Sequence, residues 1–506
     1  MSDLLHDPSL PHVQPATLAH YGARIIEHVT HPRRPGRLAA PHGTGTTGSP
    51  ECGDQVRIDV LVADGTIAEA AFEAYGCPAT IAGGSEVISR IVGRPLLAAA
   101  GLGEDELARS LGLSAEKRAC SNLAADALHG ALEQVAGGVA PLRRASDPGD
   151  AEGVLVAMSG GVDSSVAALS LVREGRQVVG VTFRFWSDPV CGVGGGCCSP
   201  ESILTARRVA HRLGIPHLTI DLSHPFYREV VEYFVGEYGE GRTPNPCVRC
   251  NGRLRFAELA RLADRLGLGW IATGHYASMQ GYPPRLRRGD DPSKDQAYVL
   301  AAVPPSLLRR ARFPLAEMDK ETVRRLAAKA GLESHDAEES QDICFIPDGD
   351  HGRFLRERLG VRAGAVVDAA GRTLGRHPGT YNFTVGQRKG LGISDTEPLY
   401  VTAIDPRGGV VTVGRRGDLA VDTVRVRDVV VHTDRMPSEG RVQLRSSGRA
   451  VETAVETRDG GLVLHMRETV EGVAPGQTAV LFDADGTVLA GGTIVSAAKG
   501  AKGPVV

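Results

Sequence analysis

The chain has 506 residues, 42% of them hydrophobic and 23% charged, with a formal net charge of −3; these are ordinary globular values, and the length suits three or four domains of about 100–200 residues each. The near-neutral balance excludes a globally basic nucleic-acid binder, so any contact with a phosphate backbone must come from local basic patches. The opening MSDLLHDPSLPHVQPATLAH has neither a basic start nor an apolar run, and no later segment approaches the roughly 20 apolar residues that span a bilayer, so a cytoplasmic protein with no membrane partner is expected.

In chain order, RIDVLVADGTIAEAAFEAYG reads as a β-hairpin joined through Asp64-Gly65, and a helix is predicted over Asn122 to Gln134. Residues 136–152, rich in Gly, Pro, Ala and charge, read as a flexible linker that keeps two halves close without a tight interface. Downstream the pattern alternates: strand Val154 to Met158, helix from Ser164, strand Val178 to Phe183, helix Ser202 to Leu213, strand His217 to Leu222, helix Leu254 to Leu266, strand Trp270 to Thr273. Such alternation predicts a doubly wound parallel sheet with its ligands at the carboxyl ends of the strands. After about residue 355 the character changes, and the runs VRVRDVVVH, RVQLRSS, GGLVLHM, GQTAVLF and TVLAGGTIVS between Val424 and Ser496 predict a small β-barrel. The expected fold class is therefore multidomain α/β. It comprises an α+β domain (1–135), the linker, a parallel-sheet domain (153–355), a small central domain (356–420) and a C-terminal β-barrel (421–498).

The nine cysteines are Cys52, Cys77, Cys120, Cys191, Cys197, Cys198, Cys247, Cys250 and Cys344. An odd count with no signal peptide points to metal, cluster or redox chemistry, with one or two thiols serving as small buried hydrophobes. Cys191, Cys197 and Cys198 lie in the Gly-rich CGVGGGCCS; adjacent cysteines are poor co-ligands of one ion, so this stretch is read as a mobile loop.

The strand Val154 to Met158 runs into Ser159-Gly160-Gly161-Val162-Asp163-Ser164-Ser165 and then a helix. Two glycines let backbone N–H groups approach a phosphate, the helix N-terminus favours an anion, and the serines add donors. Neither a Gly-Lys-Ser/Thr nor a G-x-G-x-x-G spacing is present. SGGVDSS resembles the PP-loop of ATP pyrophosphatases, in which the aspartate, here Asp163, attends the Mg–pyrophosphate part of ATP.

Further motifs follow in order: GRTPNPCVRCN (241–251), Thr273-Gly274-His275-Tyr276-Ala277, Lys294-Asp295-Gln296, ESQDICFI (339–346) and Gly386-Gln387-Arg388-Lys389-Gly390-Leu391-Gly392. With the PP-loop they closely resemble the tRNA-specific 2-thiouridylase (MnmA) family over about 152–498. The resemblance implies ATP-dependent 2-thiolation of the tRNA wobble uridine. Cys250 would be the catalytic nucleophile and Cys344 the carrier of a persulfide received from a cysteine desulfurase or sulfur-relay protein. Ala157, Met158, Ser159, Gly160, Gly161, Val162, Asp163, Ser164, Phe183 and Gly274 would line the nucleotide. His275, Lys294, Asp295, Gln296, Gln387, Arg388, Lys389, Arg445 and Ser446 would meet tRNA, with the central domain as a tRNA-binding module. Cys247 stands where many relatives carry Asp, so Cys247, Cys250 and Cys344 could also hold a [4Fe–4S] cluster with an open coordination site.

Residues 20–135 resemble the IscU/NifU-type iron–sulfur scaffolds through HYGARIIEHVTHPRRPGRL, Glu51-Cys52-Gly53-Asp54, Tyr75-Gly76-Cys77 and Ala119-Cys120-Ser121-Asn122-Leu123-Ala124. The resemblance implies Cys52, Asp54, Cys77 and Cys120 as ligands of an iron–sulfur cluster or of Zn, the second because Ala119 stands where scaffolds often carry His. Two other readings stand beside the 2-thiouridylase: another PP-loop ATP pyrophosphatase, and a cluster-assembly or sulfur-binding protein with a regulatory nucleotide site.

Overall fold

The computed structural model describes residues 18, 20–138, 140–143, 150–189, 199–333 and 343–499. The N-terminal part is an antiparallel sheet of β1 (Gly43–Gly48), β2 (Gln55–Ala63) and β3 (Thr66–Tyr75), covered by helices α1 (Ala23–Thr30), α2 (Pro78–Ile91), α3 (Leu96–Ala100), α4 (Glu104–Leu111) and α5 (Arg118–Gly137). The hairpin turns through Asp64 and Gly65 at φ 45° and 64°, the left-handed pair that Asp-Gly supplies, and this sets Ala63 opposite Thr66. Alternation then buries Val56, Ile58, Val60 and Val62, and α5 lies across β1 and β2. The helix expected over Asn122 to Gln134 is the middle of α5.

The second part runs β4 (Asp150–Ala157), α6 (Val162–Arg173), β5 (Val178–Arg184), α7 (Pro200–Arg212), β6 (His217–Asp221), α8 (Pro246–Cys250), α9 (Phe256–Leu266), β7 (Leu268–Ala272), the hairpin β8 (Ala277–Gln280) and β9 (Arg285–Arg288), β10 (Ala311–Arg312), α10 (Lys320–Lys329) and α11 (His351–Leu359). Its parallel sheet has the order β10-β7-β4-β5-β6. Strand side chains alternate between faces: Val154 and Val156 pack with α6, α7 and α10 on one side. Leu155, Val179, Val181, Leu218 and Ile220 belong to the other core, which is continuous with that of the N-terminal part.

The chain then forms a four-stranded sheet, β11 (Gly364–Val367), β12 (Thr373–His377), β13 (Tyr400–Asp405) and β14 (Val410–Gly414), in the order β12-β11-β14-β13. A closed barrel follows: β15 (Ala420–Val431), β16 (Glu439–Gln443), β17 (Val451–Arg458), β18 (Gly461–Glu471), β19 (Thr478–Phe482) and β20 (Val488–Ala498), in the order β15-β18-β17-β16-β19-β20. The five expected β-runs all fall on its strands. The sixth, β17, has sequence VETAVETR, whose charged outward positions leave too few apolar residues to mark it.

The two halves are not loosely tethered, contrary to expectation. Helix α5 lies against β6, and its buried residues share one core with the sheet. Arg207, 7% exposed at its side chain, pairs with Asp126, Arg184 pairs with Glu133, and Arg208 Nε donates to Glu104 Oε1 at 2.8 Å. Arg265 donates to the carbonyls of Ala136, Gly138 (2.9 Å) and Ala140 (3.1 Å), taking up carbonyls at the end of α5. Of the expected linker 136–152, Ala136 and Gly137 finish α5, Leu142 is buried, and residues 150–152 begin β4; residue 139 and residues 144–149 lie outside the described residues. No helix among the described residues is long and apolar enough to cross a membrane.

Candidate active site and candidate metal centre

Strand β4 ends at Ala157, and the chain turns through Met158 to Gly161 into α6. Gly161 is an extended N-cap without a side-chain cap, so the first-turn N–H groups remain for a ligand. Ser164 and Ser165 hydroxyls donate to Gly161 O at 3.0 and 2.9 Å, and Ser159 N donates to Ser164 Oγ at 3.1 Å, which fixes the turn. Gly160 has φ +80°, and a Cβ there would stand 2.4 Å from Ser202 O; one on Gly274 would stand 2.8 Å from Asp163 C and Ser164 N. The turn is thus pressed from two sides by α7 and by the loop after β7, and neither contact admits a side chain.

A cleft of about 160 Å³ opens at this turn, at the carboxyl end of the sheet. Of the residues expected to line the nucleotide, Ala157, Met158, Ser159, Asp163, Ser164, Phe183 and Gly274 line it, while Gly160, Gly161 and Val162 complete the turn behind. His275 and Gln296, expected to meet tRNA, also stand in its wall. His275 Nδ1 and Thr273 Oγ1 are 2.7 Å apart, and enclosure by protein, with the Arg255 guanidinium nearby, pushes the imidazole pKa down to about 3. Gln296 Oε1 accepts from Tyr276 N at 3.0 Å.

Sequence reasoning missed Phe185, Arg255 and Thr273 in the wall. Phe185 was legible, two residues beyond Phe183 and so on the same face of an extended strand. It also missed the partners of Asp163: Tyr276 OH donates to Oδ1 at 2.7 Å, and Lys320 Nζ lies 2.7 Å from both oxygens.

Helix α8 is capped by Asn245, whose Oδ1 accepts from Cys247 N and Val248 N at 3.1 Å. The helix widens to a π-type turn over Asn251–Arg255, a feature frequent at functional sites, and this turn carries buried Cys250 at one end and the cleft-lining Arg255 at the other. Asn251 Nδ2 donates to Val299 O at 3.2 Å, tying Cys250 to the helix that follows Gln296. Cys344 is half-buried and packs against the core that also holds Cys250. Its neighbour Phe345 packs on Phe226 (5.8 Å), which stacks on Phe185 (4.7 Å) in the cleft wall. Buried Asp188 anchors this turn: its N–H donates to Phe345 O at 3.2 Å while its carboxylate accepts from Arg353 (2.8 Å) and Arg358 (3.4 Å). Cys247 is exposed, and the three thiols are not gathered within 4.8 Å of one another. Cys191, Cys197 and Cys198 lie outside the described residues.

Asp295 accepts from Arg288 (2.8 Å), Gly289 N (3.1 Å) and Ala297 N (3.0 Å); it shapes the loop that presents Lys294. Gln387 and Arg445 come together in one groove of about 510 Å³ with Arg416 and Tyr400, between the central sheet and the barrel. Arg388, Lys389 and Ser446 are exposed nearby in sequence.

In the N-terminal part, Asp54, Cys77 and Cys120 place their ligand atoms within 4.8 Å of one another. Asp54 opens the chain into β2, Cys77 is the N-cap of α2, and Cys120 lies in the first turn of α5. Cys77 N and Thr80 Oγ1 donate to the Asp54 carboxylate. The Cys77 and Cys120 sulfurs are 3.5 Å apart, and the hydrogen bond between them lowers the Cys77 thiol and raises the Cys120 thiol, so the two titrate as a pair. Two sulfurs and a carboxylate suit a thiophilic metal or an iron–sulfur cluster. Cys52 stays outside the trio, in the exposed turn two residues before Asp54.

Four family models match the chain in order: the NifU-like N terminal domain (20–138), the tRNA methyl transferase HUP domain (152–348), the tRNA methyl transferase PRC-barrel domain (352–415) and the aminomethyltransferase beta-barrel domain (421–495). A bifunctional protein NifU/MnmA of Rubrobacter xylanophilus is 46% identical over 488 residues, 94% of this chain and 98% of that one. The chain belongs to the NifU/MnmA family. A tRNA-specific 2-thiouridylase MnmA of Mycolicibacterium smegmatis is 48% identical over 353 residues, 67% of this chain and 99% of its own length. That match covers the catalytic part of NifU/MnmA alone, so Asp54, Cys77 and Cys120 belong to the segment this relative lacks.

Proposed function

We propose that this chain is an ATP-dependent tRNA-uridine 2-sulfurtransferase that thiolates the wobble uridine, with its N-terminal domain (1–135) as carrier of sulfur or of an iron–sulfur cluster. The observation that carries the reading is one cleft walled by the PP-loop, whose wall residue Arg255 ends the widened turn begun at Cys250 and whose wall residue Phe185 connects through Phe226 to Phe345, the neighbour of Cys344. ATP bound on the PP-loop, with Mg near Asp163, supplies adenylation of the uridine C2 oxygen and so a leaving group. A persulfide on Cys344 attacks C2 through its terminal sulfur, and AMP departs with the oxygen. The Cys250 thiolate then attacks Cys344 Sγ, the S–S bond to the transferred sulfur breaks, and 2-thiouridine leaves a Cys250–Cys344 disulfide for an external thiol to reduce. Thiols on two different segments suit this sequence; a [4Fe–4S] cluster on Cys247, Cys250 and Cys344 is the second route, and iron bound to the purified chain would report it.

The groove with Gln387, Arg416 and Arg445, together with Lys294, is the reading for tRNA contact, and a cysteine desulfurase or relay protein is the sulfur source. Asp54, Cys77, Cys120 and Cys52 would hold Zn or an iron–sulfur cluster. The test is nucleoside analysis of tRNA incubated with ATP, a sulfur donor and the full chain. AMP and pyrophosphate should form together with 2-thiouridine and cease in Asp163→Ala; undiminished release of both in that variant overturns the PP-loop reading.

A further inference from the structure

We propose that Lys320 is a pyrophosphate-binding residue of the cleft: its ammonium, resting on Asp163 in this structure, takes the β- and γ-phosphates of the nucleotide and the pyrophosphate that departs, while Tyr276 keeps Asp163 aimed. The proposal deepens the nucleotide reading given above and rests on it.

The placement of Lys320 is not explained by the helix it begins. It is the first residue of α10, after Asp319, whose side chain caps Thr322 N at 2.7 Å. A cation in a first turn opposes the helix dipole at a cost of about 0.3–1 kcal/mol, so α10 gains nothing from it locally. Helix α10 packs on α6, and this brings the ammonium to the first turn of α6, where Nζ meets both Asp163 oxygens at 2.7 Å. The Lys320 side chain is 14% exposed, so the ammonium is held in a defined place.

Mg near Asp163 offsets only part of the charge of ATP, so the phosphate end of the cleft gains from a protein cation. Its donors are backbone N–H groups, the Ser164 and Ser165 hydroxyls being given to Gly161 O, while Asp163 adds a negative charge that repels phosphate. Arg255 stands in the same wall but lies over Phe185 (5.5 Å to the ring) and beside His275, the face where Phe183 would meet the base. Lysine acts on phosphate as a compact, mobile point charge, and a short swing from Asp163 carries the ammonium to a phosphate seated on the α6 N-terminus. Tyr276, 3% exposed with its OH on Oδ1 at 2.7 Å, then remains as the partner that orients the carboxylate. No bond is made to Lys320, and its charge is unchanged throughout.

The experiment is calorimetric titration of the full chain with ATP, AMP and inorganic pyrophosphate, each with Mg²⁺, for wild type, Lys320→Ala, Lys320→Arg and Tyr276→Phe. Removal of one charge-assisted hydrogen bond to phosphate should weaken ATP and pyrophosphate in Lys320→Ala by about 10-fold to 100-fold, and AMP by less than about 2-fold. Lys320→Arg should recover most of the ATP affinity, and Tyr276→Phe should fall between. Unchanged ATP binding in Lys320→Ala overturns the proposal. So does a loss shared equally by AMP, which would make Lys320 a prop for the cleft. Should Lys320→Ala melt before titration, Lys320→Met keeps the stem, removes the charge and is judged by the same outcomes. A wild-type chain that binds no ATP sinks the nucleotide reading itself, a result distinct from wild-type binding that Lys320→Ala leaves intact.

Discussion

At the scale of single residues, the cysteines divide by surroundings rather than by spacing. Cys250 is buried at the head of a widened turn, Cys344 half-buried beside an aromatic cluster, and Cys247 exposed. Cys250→Ser and Cys344→Ser are each expected to abolish 2-thiouridine formation while leaving tRNA binding intact, since a hydroxyl neither carries a persulfide nor attacks one at neutral pH. Cys247→Ser should retain thiolation within about 3-fold, a loss under 1 kcal/mol in barrier terms. A defect in Cys247→Ser as deep as in the other two, with loss of bound iron, would establish the cluster route instead. These residues were legible because their motifs sit in recognisable strings. Lys320 was not, because its partner lies 157 positions away in sequence; a lysine opening a helix against the dipole was the one local sign. Asp295, a motif residue expected to meet RNA, also holds its own surroundings, its oxygens accepting from Arg288, Gly289 and Ala297.

At the scale of elements, the parallel alternation, the Asp-Gly hairpin and the barrel runs were readable because each follows from local periodicity and turn chemistry. Strand β17 was lost where charge masks alternation, and the widened turn at Asn251–Arg255 has no periodic signature, so Arg255 could not be placed in the cleft beforehand. The PP-loop is sensitive to a single methyl group. Gly160→Ala meets both a left-handed φ and a carbonyl 2.4 Å from the new Cβ, and should cost about 1–3 kcal/mol. It should also weaken ATP, since relief of the clash moves the turn away from α7. A melting temperature and an ATP affinity both equal to wild type would contradict this.

At the scale of the whole molecule, the surprise is the seam between the halves. Composition marked residues 136–152 as a spacer, but composition does not report what Leu142 or the end of α5 packs against. Arg207→Ala leaves Asp126 without its partner in a largely buried seam, and should destabilise docking by about 1–3 kcal/mol and split one cooperative melting transition into two; a single unshifted transition refutes this. The seam also predicts a dependence on acidity. Burial lowers the pKa values of His129, His211 and His217, that of His211 to about 4, with Arg207 adding in the same direction. The unfolded chain takes up protons below about 6.5 that the folded one refuses, so stability is complete above that value and is lost as pH falls from 6.5 towards 4, by about 1.4 kcal/mol per pH unit for each such group. Melting followed from pH 7 to pH 5 should show the fall, reduced in His211→Gln. A flat profile would remove the histidines from the account.

Helix α5 begins beside the metal trio and ends in the seam, with Cys120 in its first turn and Glu133 paired to Arg184. Glu133 lies thirteen positions after Cys120 in one unbroken helix, about 20 Å of rigid rod. One residue inserted anywhere between the two would turn Cys120 about 100° around the rod relative to the seam, carrying its sulfur away from Cys77 and Asp54 even if every side chain kept its identity. Within that stretch the gene can change letters but not length, so its history should be one of substitution in strict phase, and a single inserted codon there should uncouple metal binding from domain docking more completely than most replacements of the residues themselves.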